Sequence, residues 1–128
     1  MITLTEENYL KAILSVSMIT GNKVSTNAIA EAINTTPASV SDMLKKLEEK
    51  KFIKYEKYKG VKLSKKGKSL AISIIRKHRL WETFLVKKLK FEWSEVHEIA
   101  EQLEHIKSSE LIDRIEKYLN YPKFDPHG

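Results

Sequence analysis

The sequence contains no cysteine. Without a thiol the chain can form no disulfide, no thiolate zinc site and no cysteine nucleophile. Long apolar segments are missing too, because the longest, residues 70–75, is far shorter than the roughly 20 residues that a membrane-spanning helix needs. The chain also opens on a polar segment, so we expect no secretion signal, no membrane partner and a cytoplasmic location. Its 128 residues suffice for one domain, or two small ones, with a real hydrophobic interior.

Charge is distributed unevenly along the chain. Residues 1–91 hold 19 lysines and arginines against 8 aspartates and glutamates, whereas residues 92–128 hold 4 against 9. The two parts carry +11 and −5, which together give the net charge of +6. The basic part is therefore the candidate for contact with nucleic acid, and the acidic part is the candidate for binding cations.

Three helices are predicted at the start of the chain. Thr5, Ser25 and Thr36 are their expected N-caps, since a hydroxyl at that position can accept a hydrogen bond from the first turn. Pro37 follows the third cap at the first helical position, where proline is favoured. The predicted helices cover about residues 5–18, 26–33 and 37–50.

The third predicted helix has one apolar side and one side of small and polar residues. Two helices joined by a tight turn, the second beginning with small polar residues, are typical of a helix-turn-helix. Small side chains let the helix N-terminus approach base edges in the major groove, and lysines further along can reach phosphates. The candidate DNA-contacting residues are Thr36, Ala38, Ser39, Ser41, Asp42, Lys45 and Lys46. For these helices alone, an ordinary helical hairpin with a solvated face remains the alternative.

A β-hairpin is predicted directly after this helix, with strands over residues 52–56 and 61–63. A hairpin that follows a helix-turn-helix makes the winged arrangement. The range Lys45–Lys68 contains eleven lysines and three glutamates, so the hairpin would form a basic wing suited to phosphate contact. Lys57 and Lys59 are the candidate contacts in the wing.

A long fourth helix, capped by Ser64 and covering about residues 65–89, carries the first histidine of interest. It places His78 and Glu82 one turn apart on the same face, where the two side chains can share an ion. Taken alone, such a pair is more often a surface hydrogen bond.

A fifth helix that begins near Ser94 is predicted to present, over residues 96–106, a stripe of nitrogen and oxygen ligands. At 100° per residue, the stripe is about 100° wide and comprises His97, Glu101, Glu104 and His105. It lies beside an apolar face, where converging carboxylates and imidazoles are costly unless a cation neutralises them. A divalent cation is one interpretation, and an acidic solvated face that happens to contain two histidines is the other. Ser109 is expected to cap a last helix.

With these elements in order, residues 4–127 resemble the diphtheria-toxin-repressor family of metal-dependent bacterial regulators, including its manganese-transport-regulator branch. Each matching segment is short, but their order and spacing are specific. The segments are Glu7-Asn8-Tyr9-Leu10, Ala38-Ser39-Val40-Ser41, Tyr55-Glu56-Lys57-Tyr58-Lys59-Gly60, Arg76-Lys77-His78-Arg79-Leu80, Val96-His97 and Glu104-His105.

The resemblance implies metal contacts at His78, Glu82, His97, Glu101, Glu104 and His105, and a further ligand on the first helix at Asn8. Oxygen and imidazole donors without sulfur suit Mn²⁺ or Fe²⁺, with one or two ions per subunit. Manganese-type members usually have aspartate in place of Asn8 and glutamate in place of Lys11. We therefore expect an arrangement that uses His78, Glu82 and His97 rather than the second manganese of that branch.

The sequence thus predicts a mainly α protein with two domains and a tail. Residues 1–64 would form a winged helix-turn-helix DNA-binding domain of three helices plus a β-hairpin wing, and residues 65–121 an α-helical dimerisation and metal-binding domain. Residues 122–128 would begin a linker, after which many family members carry an SH3-like third domain. We expect either a shortened form or a two-domain protein.

The resemblance implies a homodimeric repressor, not an enzyme. It would sense intracellular Mn²⁺ or Fe²⁺, bind a pseudo-palindromic operator in double-stranded DNA and control metal-homeostasis genes. Two alternatives remain. The first is a winged-helix regulator that responds to an organic ligand without metal. The second is a small dinuclear metal hydrolase or oxidase, although the chain lacks the paired Glu-x-x-His motifs of carboxylate-bridged bundles.

Overall fold

The computed structural model of the protein describes residues 2–21, 24–56 and 60–122. In these ranges the elements are α1 (Leu4–Thr20), α2 (Thr26–Ile33), α3 (Pro37–Glu49), β1 (Ile53–Glu56), β2 (Gly60–Leu63), α4 (Lys65–Lys87), a short 3₁₀ helix (Trp93–Glu95), α5 (Val96–Leu103) and α6 (Ser109–Tyr118). The chain forms two compact units, which divide after Ile72 within α4. The predicted order of winged helix-turn-helix and helical region is confirmed.

The first helix begins earlier than predicted, because its N-cap is Thr3 and not Thr5. The Thr3 hydroxyl accepts a hydrogen bond from the N–H of Glu6 at 3.1 Å, and the Glu6 carboxylate accepts one from the N–H of Thr3 at 2.8 Å. This reciprocal capping box needs a glutamate or glutamine three residues after the cap. Thr3 has Glu6 at that position, whereas Thr5 has the shorter Asn8. α1 ends before Gly21, whose φ of 81° suits glycine.

The two helices of the helix-turn-helix have the predicted caps. Ser25 accepts from the N–H of Ala28 at 3.0 Å, and Thr36 accepts from the N–H of Ser39 at 3.2 Å. Asn34 turns the chain between them in the left-handed conformation, with φ at 61°. The first three helices bury a common set of apolar side chains, which includes Leu10, Ile13, Ile29, Val40 and Leu47.

The predicted hairpin is present, and β1 and β2 pair antiparallel with Tyr55 opposite Val61. The outer edge of β2 is held as well, because the N–H of Val61 donates to the carbonyl of Val24 at 2.9 Å. The turn was predicted over residues 57–60. Residues 57–59 lie outside the described part of the chain, and Gly60 is the first residue of β2.

The start of α4 packs against the base of this hairpin. The Ser64 hydroxyl oxygen accepts from the N–H of Gly67 at 3.0 Å and lies 2.9 Å from the carbonyl oxygen of Phe52, to which it donates. Gly67 comes so close to the same carbonyl that a Cβ atom there would lie 2.0 Å from the oxygen. This contact explains why the first two turns of α4 belong to the first compact unit.

The second unit contains the rest of α4 together with α5 and α6, arranged around one apolar cluster. Its buried members are Leu80, Trp81, Ala100, Ile112, Ile115 and Leu119, with Phe84, Leu103 and Ile106 packed against them. The N-cap of α6 is Ser108 and not Ser109, since the Ser108 hydroxyl accepts from the N–H of Leu111 at 3.2 Å. Among the described residues, no helix combines the length and apolar content needed to cross a bilayer.

Replacing Gly67 with alanine should destabilise the first unit by about 1–3 kcal/mol, the usual cost of forcing extra atoms into a packed site. Alanine favours the helix over glycine by about 1 kcal/mol. A loss of stability in Gly67→Ala could therefore be attributed to the clash with the Phe52 carbonyl. Urea unfolding followed by circular dichroism measures the change. Ser69→Ala, at an exposed position of the same helix, is the control and should be within about 0.5 kcal/mol of the parent. Equal stability of Gly67→Ala and the parent would contradict the close approach.

Candidate functional site

In the second unit, the imidazole of His78 lies between two carboxylates. Its Nε2 is 3.3 Å from Oε2 of Glu82, and its Nδ1 is 2.7 Å from Oε1 of Glu104. All three side chains are buried, with exposed fractions of 9% for His78, 3% for Glu82 and 0% for Glu104. Carboxylates withdrawn from water in this way need compensating charge or donors nearby.

A second imidazole extends the cluster from α5. Nδ1 of His97 is 3.9 Å from Oε2 of Glu82, and its Nε2 is 2.9 Å from Oε1 of Glu101. The rings of His78 and His97 have their centroids 4.9 Å apart. The side chain of His97 is 62% exposed, so the cluster is buried on the α4 side and open to solvent on the α5 side.

The arrangement of His78, Glu82 and His97 fits a small divalent cation. Each residue offers one ligand atom, and these atoms all lie within 4.8 Å of one another. Ligand distances of about 2.1 Å put two donors on opposite sides of an ion about 4.2 Å apart, so only a small contraction would be needed. The Glu104 carboxylate at the other ring nitrogen of His78 matches the way in which metal-binding imidazoles are oriented. Nitrogen and oxygen donors of this kind suit Mn²⁺ and Fe²⁺.

The predicted helix over residues 96–106 is wrong in its last turn. α5 ends at Leu103, and the N–H of Ile106 bonds to the carbonyl of Leu103 at 3.1 Å across a turn. Glu104 still has helical dihedral angles, with its N–H bonded to the carbonyl of Ala100 at 2.9 Å, and its side chain is fully buried against His78. Nε2 of His105, the next residue, lies 3.6 Å from Oε2 of Glu104. The contacts with His78 and the packing of Ile106 on the apolar cluster are long-range, and a helical projection does not contain them.

Six of the seven predicted metal-binding residues are thus linked by successive contacts in the second unit, in the order Glu101, His97, Glu82, His78, Glu104, His105. The seventh, Asn8, lies half-buried on α1 in the first unit. The metal-binding role of all seven stays a prediction.

Two residues before Asn8, Glu6 forms a partly buried ion pair that the sequence pattern did not indicate. Glu6 is buried, and its carboxylate lies 2.8 Å from the Nζ of Lys50 at the end of α3. Burial raises the pKa of Glu6, but hydrogen bonds from Lys50 and Thr3 outweigh this effect, and the pKa is lowered from its ordinary value. The partners are 44 residues apart, so no local pattern in the sequence could have indicated the pair.

The candidate DNA-contacting side of α3 is exposed, as its amphipathic pattern predicted. Val40, Leu44 and Leu47 point into the core of the first unit. The residues on the other side are all exposed, namely Thr36, Ala38, Ser39, Ser41, Asp42, Lys45 and Lys46. Their contact with DNA stays a prediction. Lys57 and Lys59 lie outside the described residues.

Both parts of the chain match known protein families. Residues 1–61 match the family described as iron dependent repressor, N-terminal DNA binding domain. Residues 64–128 match the family described as iron dependent repressor, metal binding and dimerisation domain.

Individual relatives agree with these matches. The HTH-type transcriptional regulator MntR of Oceanobacillus iheyensis is 37% identical over 99 residues, which are 77% of this chain and 67% of that protein. The iron-dependent repressor IdeR of Mycobacterium tuberculosis is 35% identical over 100 residues, or 78% of this chain and 44% of that protein. A solved manganese-dependent transcriptional repressor in complex with manganese has a TM-score of 0.85 at 38% identity, covering 95% of this chain and 56% of that chain.

The chain thus spans about half the length of the IdeR protein and of the solved repressor chain. The two family matches cover nearly all of its residues, and both parts of the fold correspond to the descriptions of those families. The chain therefore belongs to the iron-dependent repressor family, whose members are DNA-binding transcriptional regulators.

Proposed function

We propose that this protein is a metal-dependent transcriptional repressor that binds operator DNA when it holds Mn²⁺ or Fe²⁺, and that it controls metal-homeostasis genes. The observation that carries the proposal is the cluster of His78, Glu82 and His97, with ligand atoms within 4.8 Å of one another. The cluster occurs in a chain that also has a winged helix-turn-helix with an exposed polar recognition helix.

In this proposal, His78, Glu82 and His97 hold one ion, while Glu104 orients His78. Glu101, at 2.9 Å from His97, is the nearest additional donor for the open side of the site. Glu104 and His105, with Oε2 and Nε2 3.6 Å apart, would offer donors to a second ion, giving one or two ions per subunit, and Asn8 is proposed as a further ligand on α1. The bound cation would place positive charge beside the buried carboxylates of Glu82 and Glu104.

Residues 1–64 are proposed as the DNA-binding domain, residues 65–121 as the dimerisation and metal-binding domain, and residues 122–128 as a tail. Ser39, Ser41 and Asp42 would face base edges, with Thr36 and Ala38 at the start of the recognition helix. Lys45, Lys46 and the wing residues Lys57 and Lys59 would contact phosphates, which gives affinity without sequence preference.

A homodimer is proposed through the second unit. Several large apolar side chains are exposed there, namely Leu89, Trp93, Leu111, Tyr118 and Tyr121, and exposed apolar surface of this kind often marks a protein interface. A twofold dimer would present two recognition helices to the half-sites of a pseudo-palindromic operator. We propose that the protein acts in the cytoplasm, where such DNA lies, and has no catalytic role.

Fluorescence anisotropy with a labelled operator duplex tests the proposed function. The protein should bind weakly in chelator and about 5–150-fold more tightly after addition of Mn²⁺ or Fe²⁺, the usual range of coupling between two sites. Zn²⁺ is added back in a separate arm to compare metals. Equal affinity in chelator and in metal would reject metal dependence and favour the alternative regulator of an organic ligand.

Replacing Glu82 with glutamine should lower the affinity for Mn²⁺ by at least about tenfold. Even replacing a residue that only hydrogen-bonds to a metal ligand typically lowers metal affinity by about that factor. Isothermal titration calorimetry measures the affinity, and circular dichroism confirms that the variant is folded. Glu98→Gln, which removes an equal charge at an exposed position of α5, is the matched control. Unchanged Mn²⁺ affinity in Glu82→Gln would show that the cluster is not the metal site.

Replacing Lys46 with alanine should weaken binding to operator and to random duplexes by the same factor. Loss of one phosphate contact should also reduce the slope of log affinity against log salt concentration by about 1. The control is Lys87→Ala, at an exposed position of α4. If Lys46→Ala instead bound the operator and the random duplex equally well, with no loss of affinity for the random duplex, Lys46 would be contacting base edges.

A further inference from the structure

One hydrogen bond joins the recognition helix to the wing. Oε2 of Glu48, in the last turn of α3, lies 3.0 Å from the backbone nitrogen of Tyr55 in β1, and the carboxylate accepts from that N–H. Both residues are exposed, so the bond does not satisfy a buried group. The sequence analysis gave Glu48 no role, although it lies one turn after Lys45 on the proposed DNA-binding helix.

The pairing of the hairpin explains why the Tyr55 N–H is available. Residues opposite each other in an antiparallel ladder alternate between pairs that exchange hydrogen bonds and pairs that do not. The N–H of Ser64 bonds to the carbonyl of Phe52 at 2.9 Å, which places residues 54 and 56 in bonded pairs and Tyr55 in a non-bonded one. The Tyr55 N–H therefore points away from β2, along the outer edge of the hairpin, where Glu48 meets it.

This bond holds β1 at the end that leads to the wing tip. The other end is already fixed, because the N–H of Phe52 bonds to the carbonyl of Leu47 at 3.0 Å. Tyr55 stands two residues before Lys57, one of the proposed phosphate contacts. Between α3 and β1 is a cleft of about 310 Å³, which Leu44, Lys45 and Tyr55 help to line, so this end of β1 is not packed tightly on α3.

The negative charge of Glu48 indicates that the role of this residue is to position the wing. A carboxylate on a surface that binds DNA repels the phosphates, so a glutamate there lowers affinity unless it provides something else. Without Glu48, the exposed Tyr55 N–H could bond to water at little cost in stability. The main effect of the bond is therefore on where β1 lies relative to α3.

We propose that Glu48 is a positioning residue that fixes the wing against the recognition helix, so that wing lysines and α3 lysines reach the DNA backbone at the same time. This inference rests on the proposed DNA-binding function. It predicts that the hydrogen-bond acceptor at position 48 is needed for full DNA affinity and that the negative charge is not needed.

The test compares Glu48→Gln with Glu48→Ala, since both remove the charge and only glutamine keeps an acceptor oxygen for the Tyr55 N–H. Glu49→Gln and Glu49→Ala, at the exposed neighbouring position, are the matched controls. Affinities for operator and for random duplexes are measured by anisotropy in Mn²⁺ over a series of salt concentrations. Circular dichroism verifies the fold of each variant.

Glu48→Gln should bind DNA at least as tightly as the parent does. The DNA affinity of Glu48→Ala should be lower than that of Glu48→Gln by about fivefold or more. The salt slope of Glu48→Ala should be smaller by about 2, as expected if two wing lysines lose their phosphates. The two Glu49 variants should have the same DNA affinity and the same salt slope. Equal affinity and equal slope for Glu48→Gln and Glu48→Ala would overturn the inference.

Two Tyr55 variants and the random duplex test the inference where the Glu48 variants or the metal response fail. If Glu48→Ala fails to fold, Tyr55→Pro removes the donor N–H instead, while Tyr55→Ala removes the ring and keeps the N–H. Proline is tolerated at an outward-facing position of an edge strand, and the inference requires Tyr55→Pro to bind more weakly than Tyr55→Ala. A parent protein that does not respond to metal would refute the proposed function, but phosphate contact does not depend on sequence, so the random duplex would still test Glu48.

Discussion

The candidate metal centre depends on one buried charge, the carboxylate of Glu104. The side chain is fully buried, where an isolated carboxylate would be strongly disfavoured. The hydrogen bond to Nδ1 of His78 at 2.7 Å compensates part of that cost, and it also fixes the imidazole so that Nε2 is directed toward Glu82. Glu104 is the C-cap of α5 and keeps helical dihedral angles, so the end of α5 presents this carboxylate to His78 on α4. One contact therefore joins the two helices and orients a candidate ligand.

Local rules predicted much of the fold, because most of its elements begin at residues whose effect is local. Ser25 and Thr36 cap α2 and α3 as their sequence positions indicate, and alternation predicted the hairpin. The first cap differs from the predicted Thr5, because a hydroxyl alone does not identify a cap where several threonines are close together. The full pattern of Thr3 with Glu6 three residues later does identify it.

The candidate site was predictable only where helical spacing sufficed. His78 with Glu82, and His97 with Glu101, are pairs four residues apart, and each pair lies on one helix. The contact of Glu104 with His78 joins residues 26 positions apart, and the pairing of Glu6 with Lys50 spans 44 residues. Such contacts result from the packing of whole elements, which periodicity does not describe.

The distribution of the proposed ligands bears on how metal could control DNA binding. Six of them lie in the second unit and are already in mutual contact, so an ion bound by these alone would change little in the DNA-binding unit. Asn8 is the member of the set that lies on α1, in the same unit as α3 and the wing. Its amide can offer a carbonyl oxygen but no charge. A bound ion favours one conformation only by the extra binding free energy that it gains there, so the weakness of a neutral amide ligand would also limit the coupling that Asn8 could supply.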